Sequence, residues 1–177
     1  MRTFLAAFLL AAGMFAAGDA PAQPTPAYRE TSARTKEVGE RYLAAYLAKD
    51  WDTVGALLAE NGSFADRTAE LVFGSTLQQG RAATLAFFEK GYAGVRMRYR
   101  PVRAMHTGHY AVYEGLLDWT LQLGDGRSIA TEAMPFVVIL RVEAGRVVEH
   151  RDYADYHPFV ENLRRTPRPG SAGTTGR

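Results

Sequence analysis

Cysteine is absent from this chain of 177 residues. Its absence excludes disulfides, thiol nucleophiles, thiolate-held zinc, iron–sulfur clusters and a lipidated N-terminal cysteine. Lysine is scarce, with only Lys36, Lys49 and Lys90 among 21 basic residues. Acidic residues are missing beyond position 163, where Arg164, Arg165, Arg168 and Arg177 lie. Residues 23–163 carry 16 basic and 18 acidic groups, so the pI of 9.0 is a property of the tail. A near-neutral body offers no footprint for nucleic acid. No glycine-rich phosphate-binding motif occurs, so no cofactor is expected. His106 and His109 bracket a turn, and a metal site would need more ligands, so no metal is expected either.

Long apolar runs are also lacking, with one exception. Phe4 to Ala17 follows Arg2 and precedes Ala20-Pro21-Ala22. The run is short for a membrane span and has the length of a secretory signal, with small residues at both cleavage subsites. Residues 1–22 are therefore expected to be removed after Ala22. The destination is a bacterial periplasm or the medium, and no membrane contact is expected after cleavage. The whole chain is 47% hydrophobic and 23% charged, a globular composition that supports one domain with its own core.

A spacer over residues 23–29 leads into a helix from Thr31 to Lys49, with Val38, Tyr42, Ala45 and Tyr46 on one stripe. Asp52 is expected to cap a second helix through Leu58. Asn61-Gly62 reads as a turn and Ser63 to Asp66 as a short strand. Residues 67–79 read as a loop whose Leu71, Val72, Phe73 and Leu77 suit a flap. A third helix spans Arg81 to Tyr92. Strands then dominate: Val95 to His106 with a break at Pro101, His109–Leu123, Arg127–Val142 and Arg146–Tyr156, with a two-residue Asp125-Gly126 hairpin. Residues 157–163 form a short helix, and 164–177 a disordered basic tail. Three helices before a long meander is an α+β pattern. The expected fold is a strongly curved antiparallel sheet wrapped around three N-terminal helices, leaving a cone-shaped pocket.

The order of elements, the Asp50-Trp51-Asp52 break and the ending His150-Arg151-Asp152-Tyr153-Ala154-Asp155 resemble the SnoaL-like branch of the nuclear transport factor 2 superfamily over about residues 30–163. The resemblance implies the same cone fold, which hosts isomerases, hydrolases, cyclases and non-catalytic binders. Tyr42 and Asp66 stand where the resemblance to ketosteroid isomerase implies an oxyanion-binding tyrosine and a catalytic aspartate. Val137 stands where that enzyme carries a second acid. Resemblance to limonene-type epoxide hydrolases implies that Asp152 activates water, while their Arg-x-Asp partner is replaced by Glu114-Gly115-Leu116-Leu117-Asp118.

A two-residue hairpin pairs Val137 with Glu114, and opposite residues share a face. With Val137 toward the cavity, Val112, Glu114, Leu116 and Asp118 are inward. Ala111, Tyr113, Leu117, Trp119 and Leu121 are then outward, an apolar set expected to bind a second copy of the chain; a one-residue slip would swap the two sets. The candidate catalytic groups are Asp66, Tyr42, Asp152 and His150, and the candidate ligand contacts are Glu114, Leu116, Val137, Phe64 and Trp51. Each has an ordinary reading beside it: Asp66 as a turn cap, Tyr42 as core, and His150 with Asp152 as a structural network. The expected function is binding of a small apolar molecule with one polar group. The alternative is cofactor-independent acid–base catalysis by Asp66 with His150 and Asp152.

Overall fold

The computed structural model describes residues 24–169. The expected signal, residues 1–22, and the end of the basic tail lie outside them. Helix α1 (Pro26–Ala48) starts earlier than its apolar stripe. Thr25 caps it by accepting from the Tyr28 N–H at 3.2 Å, and Pro26 occupies the first turn, where no backbone donor is needed. The spacer is thus shorter than expected. Lys49, at φ 58°, closes the helix in the left-handed conformation. Asp50, not Asp52, caps α2 (Trp51–Leu57), accepting from the Thr53 N–H at 3.1 Å.

Strand β1 (Leu58–Asp66) runs straight through the expected Asn61-Gly62 turn, with an irregularity between Leu58 and Ser63. The expected loop contains one helical turn, α3 (Glu70–Phe73), and the two-residue β2 (Gln78–Gln79). Then follow α4 (Arg81–Gly91), β3 (Val95–Thr107), β4 (Tyr110–Gln122), β5 (Ser128–Glu143), β6 (Arg146–Ala154) and α5 (His157–Arg165). Arg164 and Arg165 form the last turn of α5 and so belong to the fold rather than the tail.

Six strands make one curved, open sheet in the order β2-β1-β6-β5-β4-β3. The sheet is mixed, which corrects the all-antiparallel expectation. β1 lies parallel to β6, pairing Phe64 with His150 and Asp66 with Asp152, because the chain returns to β1 only after the whole meander. α1 packs across the inner faces of β3, β4 and β5.

The β4–β5 hairpin corrects the expected facing. Its loop has three residues, Gly124-Asp125-Gly126, with Gly126 at φ 86° and the Leu123 N–H donating to the Arg127 carbonyl at 2.8 Å. Ala133 sits in a bulge at φ 52°, its N–H held by the Asp118 carboxylate at 2.9 Å. The loop and the bulge offset each other by one residue, so Glu114 does pair with Val137. Val137 nonetheless points outward, between the buried Phe136 and Val138. Glu114 and Leu116 share its outer face. Glu114 is bound by Arg103 at 2.5 Å, and Asp118 by Arg98 and Arg100 at 3.2 and 3.0 Å. The apolar set Ala111, Tyr113, Leu117 and Trp119 is buried inside, against the helices and the cavity. None of Glu114, Leu116 and Val137 reaches the pocket.

Gly115 lies on the inner face of β4, where a Cβ would meet the Tyr99 ring and come within 2.6 Å of the Arg100 carbonyl oxygen. Gly115→Ala is expected to cost about 1–3 kcal/mol in urea unfolding. A loss under ~0.5 kcal/mol would show that β3 and β4 can separate there without cost.

Candidate functional site

A cavity of about 260 Å³ opens between the inner face of the sheet, α4 and the α3 segment. Its walls include Phe64, Phe87, Met97, Leu117, Trp119, Met134 and Phe136. Its polar groups are Asp66, Asp152, Thr76 and the phenols of Tyr46, Tyr92 and Tyr156. The two carboxylates meet because Asp66 and Asp152 are partners across the parallel β1–β6 pair, both pointing inward.

Asp152 is 1% exposed and fully bonded. Its Oδ1 accepts from His150 Nε2 at 2.7 Å, and its Oδ2 from the Tyr46 hydroxyl at 2.7 Å. His150 Nδ1 lies 3.2 Å from the Tyr42 hydroxyl. The tautomer that satisfies both contacts has Nε2 donating to Asp152 and Nδ1 accepting from the Tyr42 hydroxyl. The His150 ring is held edge-on by Tyr42, Tyr46 and Phe64 at centroid distances of 5.4, 4.7 and 5.0 Å. Tyr46 spends its proton on Asp152, so the Tyr92 hydroxyl, 2.5 Å away, donates to the Tyr46 oxygen.

Asp66 has two tasks. Its Oδ1 accepts from the Thr68 N–H at 3.1 Å, the Thr68 hydroxyl at 2.8 Å and the Ala69 N–H at 2.7 Å, which caps the turn into α3. Its Oδ2 accepts from the Tyr156 hydroxyl at 2.7 Å. Burial, and then the neighbouring Asp152 charge, push the Asp66 carboxyl above the usual carboxylate range, while the bonds from Ala69, Tyr156 and Thr68 pull the other way. Burial is also the largest cause holding the Tyr42, Tyr46, Tyr92 and Tyr156 phenols well above their ordinary value, so all four remain protonated donors.

A folded pKa raised above the unfolded one means that stability is fully present below the unfolded value and falls as pH rises through the folded value. Ionised Asp66 therefore opposes folding. Asp66→Asn keeps an oxygen for the Thr68–Ala69 turn, so at pH 7 it is expected to melt no lower than the parent, an advantage that vanishes by pH 3. A loss of several degrees at pH 7 would contradict this reading.

Of the residues singled out in the sequence, Asp66, Asp152 and Phe64 line the cavity. Tyr42 and His150 stand behind Asp152. Trp51 lies outside the lining, stacked on Phe88 at 5.3 Å. Glu114, Leu116 and Val137 are on the opposite face. The sequence reading missed Tyr46, Tyr92 and Tyr156 as site residues. Tyr46 carried a signal, since it lies one helical turn after Tyr42 on the same buried stripe. Phe73, Ala69 and Thr76 bring the 67–79 segment into the cavity wall. Among the described residues, no cluster of three or more His, Asp or Glu could hold a metal ion.

None of the curated proteins matches this chain. Solved structures match throughout the domain. A protein assigned as a SnoaL-like polyketide cyclase from Shewanella denitrificans is 22% identical, with a TM-score of 0.65 over 75% of this chain and 98% of its own. An LEH-like epoxide hydrolase from M. tuberculosis is 20% identical, with a TM-score of 0.56 over 75% and 91%. A protein with a ketosteroid isomerase-like fold from Catenulispora acidiphila, solved in complex with trimethylamine, is 16% identical, with a TM-score of 0.57 over 71% and 91%. At these identities the likeness is one of fold. The SnoaL-like domain family matches residues 39–150, and the chain belongs to that family.

Proposed function

We propose that the protein binds a small, mostly apolar molecule carrying one hydrogen-bonding group, seated in the cone with that group against the Asp66–Asp152 floor. The observation that carries this reading is the cavity itself: a half-open, mostly apolar chamber with two adjacent carboxylates and three phenols gathered on its floor. The structures of this fold named above include one with a small amine. Titration with 3,3-dimethylbutan-1-ol, benzyl alcohol and cyclohexanol tests it by calorimetry. At least one is expected to saturate near 1 mM, about 4 kcal/mol of binding. Linear, non-saturating heats for all three would overturn it.

One observation favours a second reading, acid–base turnover. Burial in a mostly apolar cavity holds Asp66 above the usual range, which makes it a stronger base than a free aspartate. Asp152, fixed by His150 and Tyr46, is the second acid–base group. On this reading, turnover of a panel of epoxides and β,γ-unsaturated ketones is present in the parent and lost in Asp66→Asn, with probe binding retained. Equal turnover in both proteins contradicts it.

The same proposal includes export, with residues 1–22 removed, and a dimer. The dimer rests on different residues from those first expected. The outer sheet face carries Val112, Leu116, Val137 and Ile139 half-buried, with Met105 exposed, framed by Arg103–Glu114 and Arg98–Asp118 pairs. Apolar strips between charges of both signs suit a second copy of the same face. Sedimentation at about 10 µM should give a dimer, which Leu116→Glu reduces to a monomer; a monomeric parent would exclude it.

A further inference from the structure

The cavity has an unusual balance of charge. Its lining includes two carboxylates and no lysine, arginine or histidine. His150 stands behind the wall, in contact with Asp152 and outside the lining. The nearby cations are committed elsewhere: the Lys49 ammonium to the Val95 and Tyr92 carbonyls at 2.8 and 3.5 Å, and Arg67 to Glu70 at 3.2 Å. Eight of the lining residues are aromatic, among them Tyr46, Phe73, Tyr92, Trp119 and Tyr156. Ring faces attract cations through their quadrupole, and a methylated ammonium is weakly hydrated, so it enters an apolar chamber at lower cost than a primary amine.

Resting on the binding reading above, we propose that the natural ligand is a compact cationic amine, tertiary or quaternary, whose charge sits between the aromatic walls and the Asp66–Asp152 pair. The carboxylates supply the counter-charge, and the aromatic walls surround the methyl groups. The repulsion from Asp152 that already raises Asp66 is relieved when a cation arrives. A neutral ligand of the same shape fills the space equally well but leaves both charges unanswered.

The test is a matched pair of probes. Choline and 3,3-dimethylbutan-1-ol have the same shape and differ in one atom, the quaternary nitrogen against carbon. Both are titrated by calorimetry into the protein lacking residues 1–22, at pH 7.5 and low salt. Choline is expected to bind at least about 10-fold more tightly, and Asp66→Asn is expected to cut that preference to about 3-fold or less. Equal or tighter binding of the alcohol overturns the cationic assignment and leaves the apolar-cavity reading standing. Saturation by neither probe below about 10 mM, nor by benzyl alcohol or cyclohexanol, overturns both. An undiminished preference in correctly folded Asp66→Asn and Asp152→Asn variants would also overturn it, because the charge would then be recognised elsewhere.

Discussion

Asp152→Ala is expected to lower the unfolding free energy by about 3–5 kcal/mol in urea, among the largest single-residue effects in the chain. The carboxylate is 1% exposed and accepts two buried protons, one on each oxygen, from His150 and Tyr46. Deleting it strands both buried donors, and each stranded donor costs about 1–3 kcal/mol. The damage spreads, because Tyr42 leans on His150 and Tyr92 on Tyr46. Tyr46→Phe removes the bond to Asp152 Oδ2 and leaves the Tyr92 proton without its acceptor, so it should cost about 1–3 kcal/mol and add less than its full cost to Asp152→Ala. A loss below ~1 kcal/mol for Asp152→Ala would mean that water reaches both donors once the carboxylate is gone, so that burial does not isolate them.

Leu117→Trp is expected to weaken binding of any cavity ligand by more than about 100-fold, equivalent to about 2.7 kcal/mol. Leu117 is 3% exposed, lies between Gly115 and Trp119 on the inner face of β4, and lines the cavity. A larger ring there grows into the empty space, with a stability cost of about 1–3 kcal/mol from overpacking. The Asp66–Asp152 floor, on β1 and β6, is left intact. Binding unchanged in a folded Leu117→Trp protein would place the ligand outside the cone.

The inner stripe of α1 was legible in the sequence because Val38, Tyr42, Ala45 and Tyr46 recur at helical spacing. That His150 and Asp152 share a face was legible because strand residues two apart do, while the choice of the inner face came from the family resemblance. The meeting of Asp66 with Asp152 rested on the family resemblance alone, since no local pattern announces a parallel pairing between residues 86 positions apart. The facing of β4 was inverted for a definite reason. Hairpin pairing tells which residues are opposite, not which side of the sheet they occupy, and Val137 was assigned inward by resemblance. The competing signal was already present: Tyr113, Leu117 and Trp119 form the more apolar set, and burial inside the fold satisfies them without a partner. The three-residue loop and the Ala133 bulge could not be read because their opposite shifts cancel beyond the bulge. Tyr92 and Tyr156 escaped notice because each lies just beyond an element end, where periodicity carries no facing information.

The central claim is that a ligand sits in the cone above Asp66 and Asp152. The chain has two tryptophans, one on the cavity wall and one outside it. The most direct measurement is therefore the pair of indole N–H resonances in the ¹⁵N-labelled protein during titration with choline and 3,3-dimethylbutan-1-ol. Trp119 is predicted to move and saturate with at least one of them while Trp51 stays in place. Movement of Trp51 alone, or of neither at saturating probe, would contradict the claim.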